Sequence, residues 1–197
     1  MDATVAGLVL AAGSSRRLGQ PKQLLPYRGA TLLDATLTMV KRAPFAQRLV
    51  TIGGAAEEVR SQVDLDGFDV VDSLHHTDGC SSSIVSALST VMPEADGLVL
   101  LLGDQPEVSL DAIDAVVAAG AQGRDIVVCR YEDGIGHPFW FSRATFADLA
   151  ALHGDKAVWK LIESRRFAVH EENIAGPVPL DVDTWDDYER LVAAVAD

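Results

Sequence analysis

"TVAGLVLAAGSSRRLGQPK" (residues 4–22) is the stretch on which the reading of this chain turns. Residues 4–12 are apolar and partly β-branched, and they stop at Gly13. A short apolar run without polar alternation predicts a strand buried on both faces, as in parallel sheets. The loop that follows changes character. Gly13, Ser14 and Ser15 are small, while Arg16, Arg17 and Lys22 are positive. In such sheets ligands bind beyond the carboxyl ends of the strands, which is where this loop falls. Small residues allow close backbone approach and leave N–H groups to face oxyanions. Arg17 can fork onto two phosphate oxygens, and Lys22 can supply a compact charge. The loop is not a Walker A motif, because no Gly-Lys-Ser/Thr opens a helix. It is not a dinucleotide fingerprint either, because Gly13 and Gly19 are six apart.

Working outward, strand-like and helix-like segments alternate. Helical spacing marks residues 31–43, followed by a strand at 48–54 and a short helix at 55–63. A strand is expected at 68–73 and a helix at 81–92. The most apolar strand lies within 96–106, and a helix spans 109–120 with Ser109 as N-cap and Gly120 as C-cap. The second half is less regular. Strands are expected at 125–131, 137–142 and 166–173, and helices at 143–153, 156–164 and 184–196, the last capped by Thr184. The alternation predicts one three-layer α/β/α domain over residues 1–197, with a Rossmann-like, mainly parallel sheet. The strand-end rule then marks Gly53, Asp72, Gly79, Asp104 and His137, with Ser82 and Ser83 opening a helix where they could reach a ribose or base.

The bulk composition narrows the partners. The 197 residues carry a formal net charge of −13, with 48% hydrophobic and 23% charged residues. That balance is globular, and the acidic surface argues against general nucleic-acid binding. A locally basic pocket for a small polyphosphate remains compatible with it. Cys80 and Cys129 have no CxxC pairing, which argues against a disulfide framework or zinc site. Cys80 has no basic partner, so it is assigned no chemistry. No apolar run reaches the roughly 20 residues of a membrane span, and the first residues lack a basic segment of secretory type. The expected setting is the cytoplasm, without membrane partners. Trp140, Trp159 and Trp185 read as packing residues, and His75, His76, His153 and His170 show no ligand-like spacing.

Two acidic features complete the reading. Asp104 directly follows the apolar strand and so sits at the ligand-binding edge. Mg²⁺ favours one or two carboxylates plus phosphate oxygens and water, which makes Asp104 the first candidate metal ligand. Asp181 and Asp183 flank Val182, and an extended backbone there puts both carboxylates on one face.

The spacing Leu10-Ala11-Ala12-Gly13-x-Ser15-x-Arg17-x-Gly19-x-x-Lys22 resembles the signature of the MobA/MocA-like nucleotidyltransferases related to molybdenum cofactor biosynthesis. "GDQP" (residues 103–106), "GHP" (136–138) and "DVDT" (181–184) match that family's later landmarks in order, so the resemblance spans nearly the whole chain. It implies a fold of the nucleotide-diphospho-sugar transferase type and a Mg²⁺-dependent nucleotidyltransferase. Leu10, Ala11, Ala12 and Gly13 would contact base and ribose. Arg17 and Lys22 would hold the triphosphate and act in catalysis with Asp104. Asp104 and Asp183 would hold the metal, and His137 would lie near the acceptor. Cytidylyl members often read Ala-Ala-Gly where guanylyl members read Ala-Gly-Gly, so Ala12 favours CTP. Asp72 pulls the other way, since cytidylyl members often carry Asn near it. The implied acceptor is molybdopterin or another small phosphorylated metabolite, with a molybdoenzyme or its maturation chaperone downstream. A guanylyltransferase and a non-catalytic cofactor-delivery protein are the alternatives.

Overall fold

A computed structural model of the chain describes residues 3–73, 80–154 and 156–194. The expected buried strand forms as β1 (Val5–Leu10). Its alternate residues feed opposite sides of the sheet: Val5 and Val9 enter one core cluster, Ala6 and Leu8 the other. A single 3₁₀ turn (Lys22–Leu24) and a two-residue hairpin, β2 (Pro26–Tyr27) with β3 (Ala30–Thr31), lead into α1 (Leu32–Arg42). Thr31 and Asp34 close that helix start with a reciprocal capping box. Then follow β4 (Gln47–Ile52), α2 (Ala56–Gln62), β5 (Asp69–Asp72), α3 (Cys80–Leu88) and β6 (Gly97–Leu102). The second half contributes α4 (Leu110–Ala121), β7 (Ile126–Arg130), β8 (Ile135–Ser142), α5 (Phe146–Ala150), α6 (Ala157–Glu163), β9 (Val169–Asn173) and α7 (Trp185–Ala193).

The main sheet runs β5-β4-β1-β6-β8-β7-β9. Pairing is parallel from β5 through β6 and again between β7 and β9, while β8 lies antiparallel to both its neighbours. Leu33, Leu37, Val59, Ile113 and Val116 pack on one face, and Ile84, Ala87, Leu149, Val158 and Leu161 on the other. This is the expected α/β/α layering with a mostly parallel sheet. A third, smaller cluster joins Leu18, Leu25, Tyr27 and Leu32 to Val182 and Leu191, and so docks α7 beneath the loop after β1. No helix among the described residues is long and apolar enough to cross a membrane.

Three expectations need correction. Gly120 is not the cap of α4. It lies inside the helix, where a Cβ would come within 2.2 Å of the Trp140 ring, and Gly123 takes the left-handed conformation beyond the end (φ +83). Trp185 is 43% exposed, edge-on to Tyr188, rather than packed in the core. The helix expected over residues 143–153 is a 3₁₀ turn (Arg143–Thr145) followed by the five-residue α5. Gly79, His75 and His76 lie outside the described residues.

Candidate functional site

β1 and β6 end side by side. Gly103 N–H donates to Leu10 O at 2.9 Å, and a Cβ on Gly103 would meet Ala11 Cβ at 2.9 Å, so only glycine fits between the two strand ends. From this edge opens a cavity of about 730 Å³, within the usual range of small-molecule sites. One wall is the loop after β1, contributing Leu10 to Arg17, then Lys22 and Gln23. Ser83, Asp104, Asp181, Asp183 and Lys156 also line the cavity.

The loop is shaped locally. Ser15 takes a left-handed backbone (φ 49), its carbonyl accepts from Leu18 N–H at 3.0 Å, and its Oγ accepts from Lys22 N–H at 2.9 Å. Gln23, buried, donates through Nε2 to Ala11 O at 2.7 Å and Gly13 O at 2.9 Å. These bonds turn loop carbonyls toward the protein. Among the described residues, the amides of Gly13, Ser14 and Ser15 have no acceptor and stay available to an anion.

Charges converge on Lys22. Its Nζ donates to Asp104 Oδ2 at 2.5 Å and to Asp183 Oδ1 at 2.9 Å, and Arg17 Nη2 reaches Asp183 Oδ2 at 2.7 Å. Burial alone would lower the pKa of Lys22, but the Asp104 and Asp183 carboxylates outweigh it and raise it, so Lys22 is a firm cation. Burial would likewise raise Asp183, yet Lys22 and then Arg17 hold its carboxyl below the usual carboxylate range. Asp181 goes the other way: partial enclosure, reinforced by the nearby Asp104 charge, pushes it up to about 6.

Asp181 and Asp183 both line the cavity, and Val182 between them is fully buried. Gln105 pins this segment, donating through Nε2 to Pro179 O at 3.1 Å and to Asp181 Oδ1. Among the described residues, no group of three or more His, Cys, Asp and Glu is placed to hold a metal alone. Asp104 and Asp183 nevertheless already share one cation, the Lys22 ammonium. Two carboxylates facing an open cavity suit an ion that completes its shell with phosphate and water.

The other expected residues divide. Ser83 lines the cavity, its Oγ 3.0 Å from that of Ser73. Gly53 and Ser82 do not line it, although Gly54 and Ala55 border a smaller cavity of about 300 Å³ behind the same loop. Asp72 is held by Arg60 at 2.7 and 2.8 Å, away from the cavity wall. His137 lies toward the carboxyl end of β6 but off the wall, its ring stacked on Phe139 at 4.1 Å. Burial lowers its pKa to about 3, so the imidazole is neutral. Arg16, beside Arg17, also borders both cavities. Sequence reasoning missed Gln23, the pinning role of Gln105, and Lys156. A lysine far along the chain leaves no local signal of its place on the wall.

The model of the MobA-like NTP transferase domain family matches residues 7–171. The chain belongs to this family. It is a nucleotidyltransferase. The MobA-like chain is 28% identical to purine catabolism protein PucB of Bacillus subtilis, over 96% of this chain and 97% of PucB. It is 26% identical to the molybdenum cofactor cytidylyltransferase of Escherichia coli, over 92% of each. Among solved structures, the Mycobacterium sp. strain JC1 homologue of Mycobacterium tuberculosis Rv0371c superposes with a TM-score of 0.92 at 57% identity, covering 98% of this chain and 96% of the other. Rv0371c itself, in a complex with manganese, gives a TM-score of 0.87 at 50% identity, covering 97% and 99%.

Proposed function

We propose that this protein transfers CMP from CTP to a phosphorylated pterin-type acceptor such as molybdopterin, releasing pyrophosphate in the cytoplasm with Mg²⁺ as cofactor. The observation that carries the reading is the cavity where Lys22 and Arg17 face Asp104 and Asp183. It joins phosphate-binding cations, free loop amides and a two-carboxylate metal place at one sheet edge. Leu10, Ala11, Ala12 and Gly13 approach the nucleoside, and Ser83 faces it from α3. The amides of Gly13, Ser14 and Ser15 meet phosphate oxygens, and Arg17 and Lys22 neutralise charge that grows on the leaving pyrophosphate. Asp104 and Asp183 would hold the divalent ion, which when bound adds positive charge at the triphosphate. The acceptor phosphate attacks the α-phosphorus, a P–O bond to pyrophosphate breaks, and no protein nucleophile is needed. Positioning and charge stabilisation supply the rate.

CTP is favoured on two grounds. Ala12 occupies the loop position that reads alanine in cytidylyl members, and Asp72, the residue that pulled toward GTP, is engaged by Arg60. The test is pyrophosphate release with each of CTP, GTP, ATP and UTP, with and without molybdopterin. Turnover with CTP and acceptor is expected. A preference for GTP would make this a guanylyltransferase, and turnover with no nucleotide would sink the reading.

A further inference from the structure

Asp104 arrives at the cavity from the end of β6, and Asp183 from the extended segment before α7. The link between their carboxylates is the Lys22 ammonium, with Lys22 and Asp104 side chains only 16% and 12% exposed. Two carboxylates that close together repel in a partly enclosed site, and the cation between them offsets that repulsion. A divalent ion bound by the same oxygens would sit against the ammonium. Two cations at contact distance in this enclosure repel strongly, so the carboxylates serve one or the other.

We infer that Lys22 is the resting occupant of the metal place. It keeps Asp104 and Asp183 together before substrate arrives, and releases them when a triphosphate offers its Nζ other oxygens. This rests on the proposed reading of the cavity as a metal-assisted nucleotide site, and it adds an order of binding. Without triphosphate, Lys22 competes for both carboxylates, so a divalent ion binds weakly. With triphosphate, Lys22 moves its hydrogen bonds to phosphate, and both carboxylates regain free lone pairs. Ion and nucleotide therefore enter as one unit. The backbone of Lys22 stays anchored through its N–H to Ser15 Oγ, so the exchange needs only its flexible four-carbon stem. Arg17 stays on the far oxygen of Asp183. Its 66% exposed side chain makes that contact the weaker, solvent-screened one, so Lys22 is the occupant that matters.

The experiment measures Mn²⁺ binding to the nucleotide-free full chain by EPR of the free ion. It compares wild type with Lys22→Met, Lys22→Gln and the Lys22→Met/Asp104→Asn double variant, each checked for a native melting transition. Removing the competing charge should tighten Mn²⁺ binding about tenfold or more in Lys22→Met, although the same change weakens CTP binding. Lys22→Gln keeps a hydrogen-bonding end without the charge and should shift the same way. It also serves if Lys22→Met does not fold. Mn²⁺ binding equal to or weaker than wild type in the folded Lys22 variants overturns the inference. If adding Asp104→Asn leaves the tightened binding unchanged, the ion lies elsewhere, and the metal-site reading of the cavity falls instead.

Discussion

Two irregular segments wall the cavity, and they are held in opposite ways. The loop of residues 13–22 is held by near neighbours: Ser15 accepts from Leu18 and Lys22, and Gln23 binds the carbonyls of Ala11 and Gly13. The segment of residues 179–183 is held by distant ones. Gln105 binds Pro179 and Asp181, Lys22 and Arg17 bind Asp183, and Val182 joins the core cluster that holds Leu18 and Leu25. The loop therefore carries most of its own geometry, while the segment takes its geometry from the fold. Damage to the loop should show first in nucleotide affinity. Damage to the pins of the segment should show first in turnover, because they set where Asp183 stands relative to Asp104.

The largest effect is expected where the two segments meet. Asp104→Asn removes the charge that Lys22 pairs with and that the proposed metal place would use, and should lower kcat/KM by about 10³-fold in a pyrophosphate-release assay. A rate within tenfold of wild type would place the reaction elsewhere.

Matched glutamine variants test the contrast directly. Gln105→Met keeps volume but drops the bonds to Pro179 and Asp181, and should cut kcat about 10- to 100-fold, the usual cost of losing a residue that orients a metal ligand, here the segment that carries the proposed ligand Asp183. Gln23→Met leaves two loop carbonyls without their donor, at about 1–3 kcal/mol, and should raise KM for the nucleotide while kcat stays close to wild type. If both variants show the same kinetic signature, the distinction between the segments is wrong.

A smaller effect is expected on stability. Val182→Ala exposes less apolar surface to burial at the junction of both segments and should cost about 2 kcal/mol. For a chain of this size that lowers Tm by about 4–8 °C, measurable by calorimetry. An unchanged Tm would mean that the apolar pin is dispensable.

The smallest effect concerns His137, outside both segments. Burial depresses its pKa from 6.5 to about 3. Below pH 6.5 the unfolded chain binds a proton that the folded chain refuses, so this contribution is fully present above that value and is lost as pH falls toward 3. His137→Gln should therefore flatten the acid limb of the stability profile. An acid limb as steep as wild type would show that the ring is not the group responsible.

Much of this was legible in the residues themselves. The apolar run before Gly13, the N-caps at Ser109 and Thr184, and the alternation of strands and helices all register local preferences that the tertiary structure did not override. Gly120 misled because a helix-end glycine looks like a cap, whereas here its missing Cβ makes room for Trp140. Trp185 misled because size suggests burial, but its position in the first turn of α7 leaves it half in solvent. Neither error could be seen without knowing what lies opposite each residue.

For the site, the sequence by itself determined which groups are available: small loop residues, Arg17 and Lys22, a carboxylate at the end of an apolar strand, and two more flanking Val182. Their types and local spacing follow from short-range physics, namely strand burial, backbone freedom and alternation along an extended chain. Only the tertiary structure decided that Lys22 bridges Asp104 and Asp183, that Gln105 and Val182 hold the acidic segment in place, and that Lys156 reaches the same wall. Those pairings join residues far apart in the chain, and they exist because sheet order and the third core cluster bring the end of β6 and the start of α7 to the loop after β1.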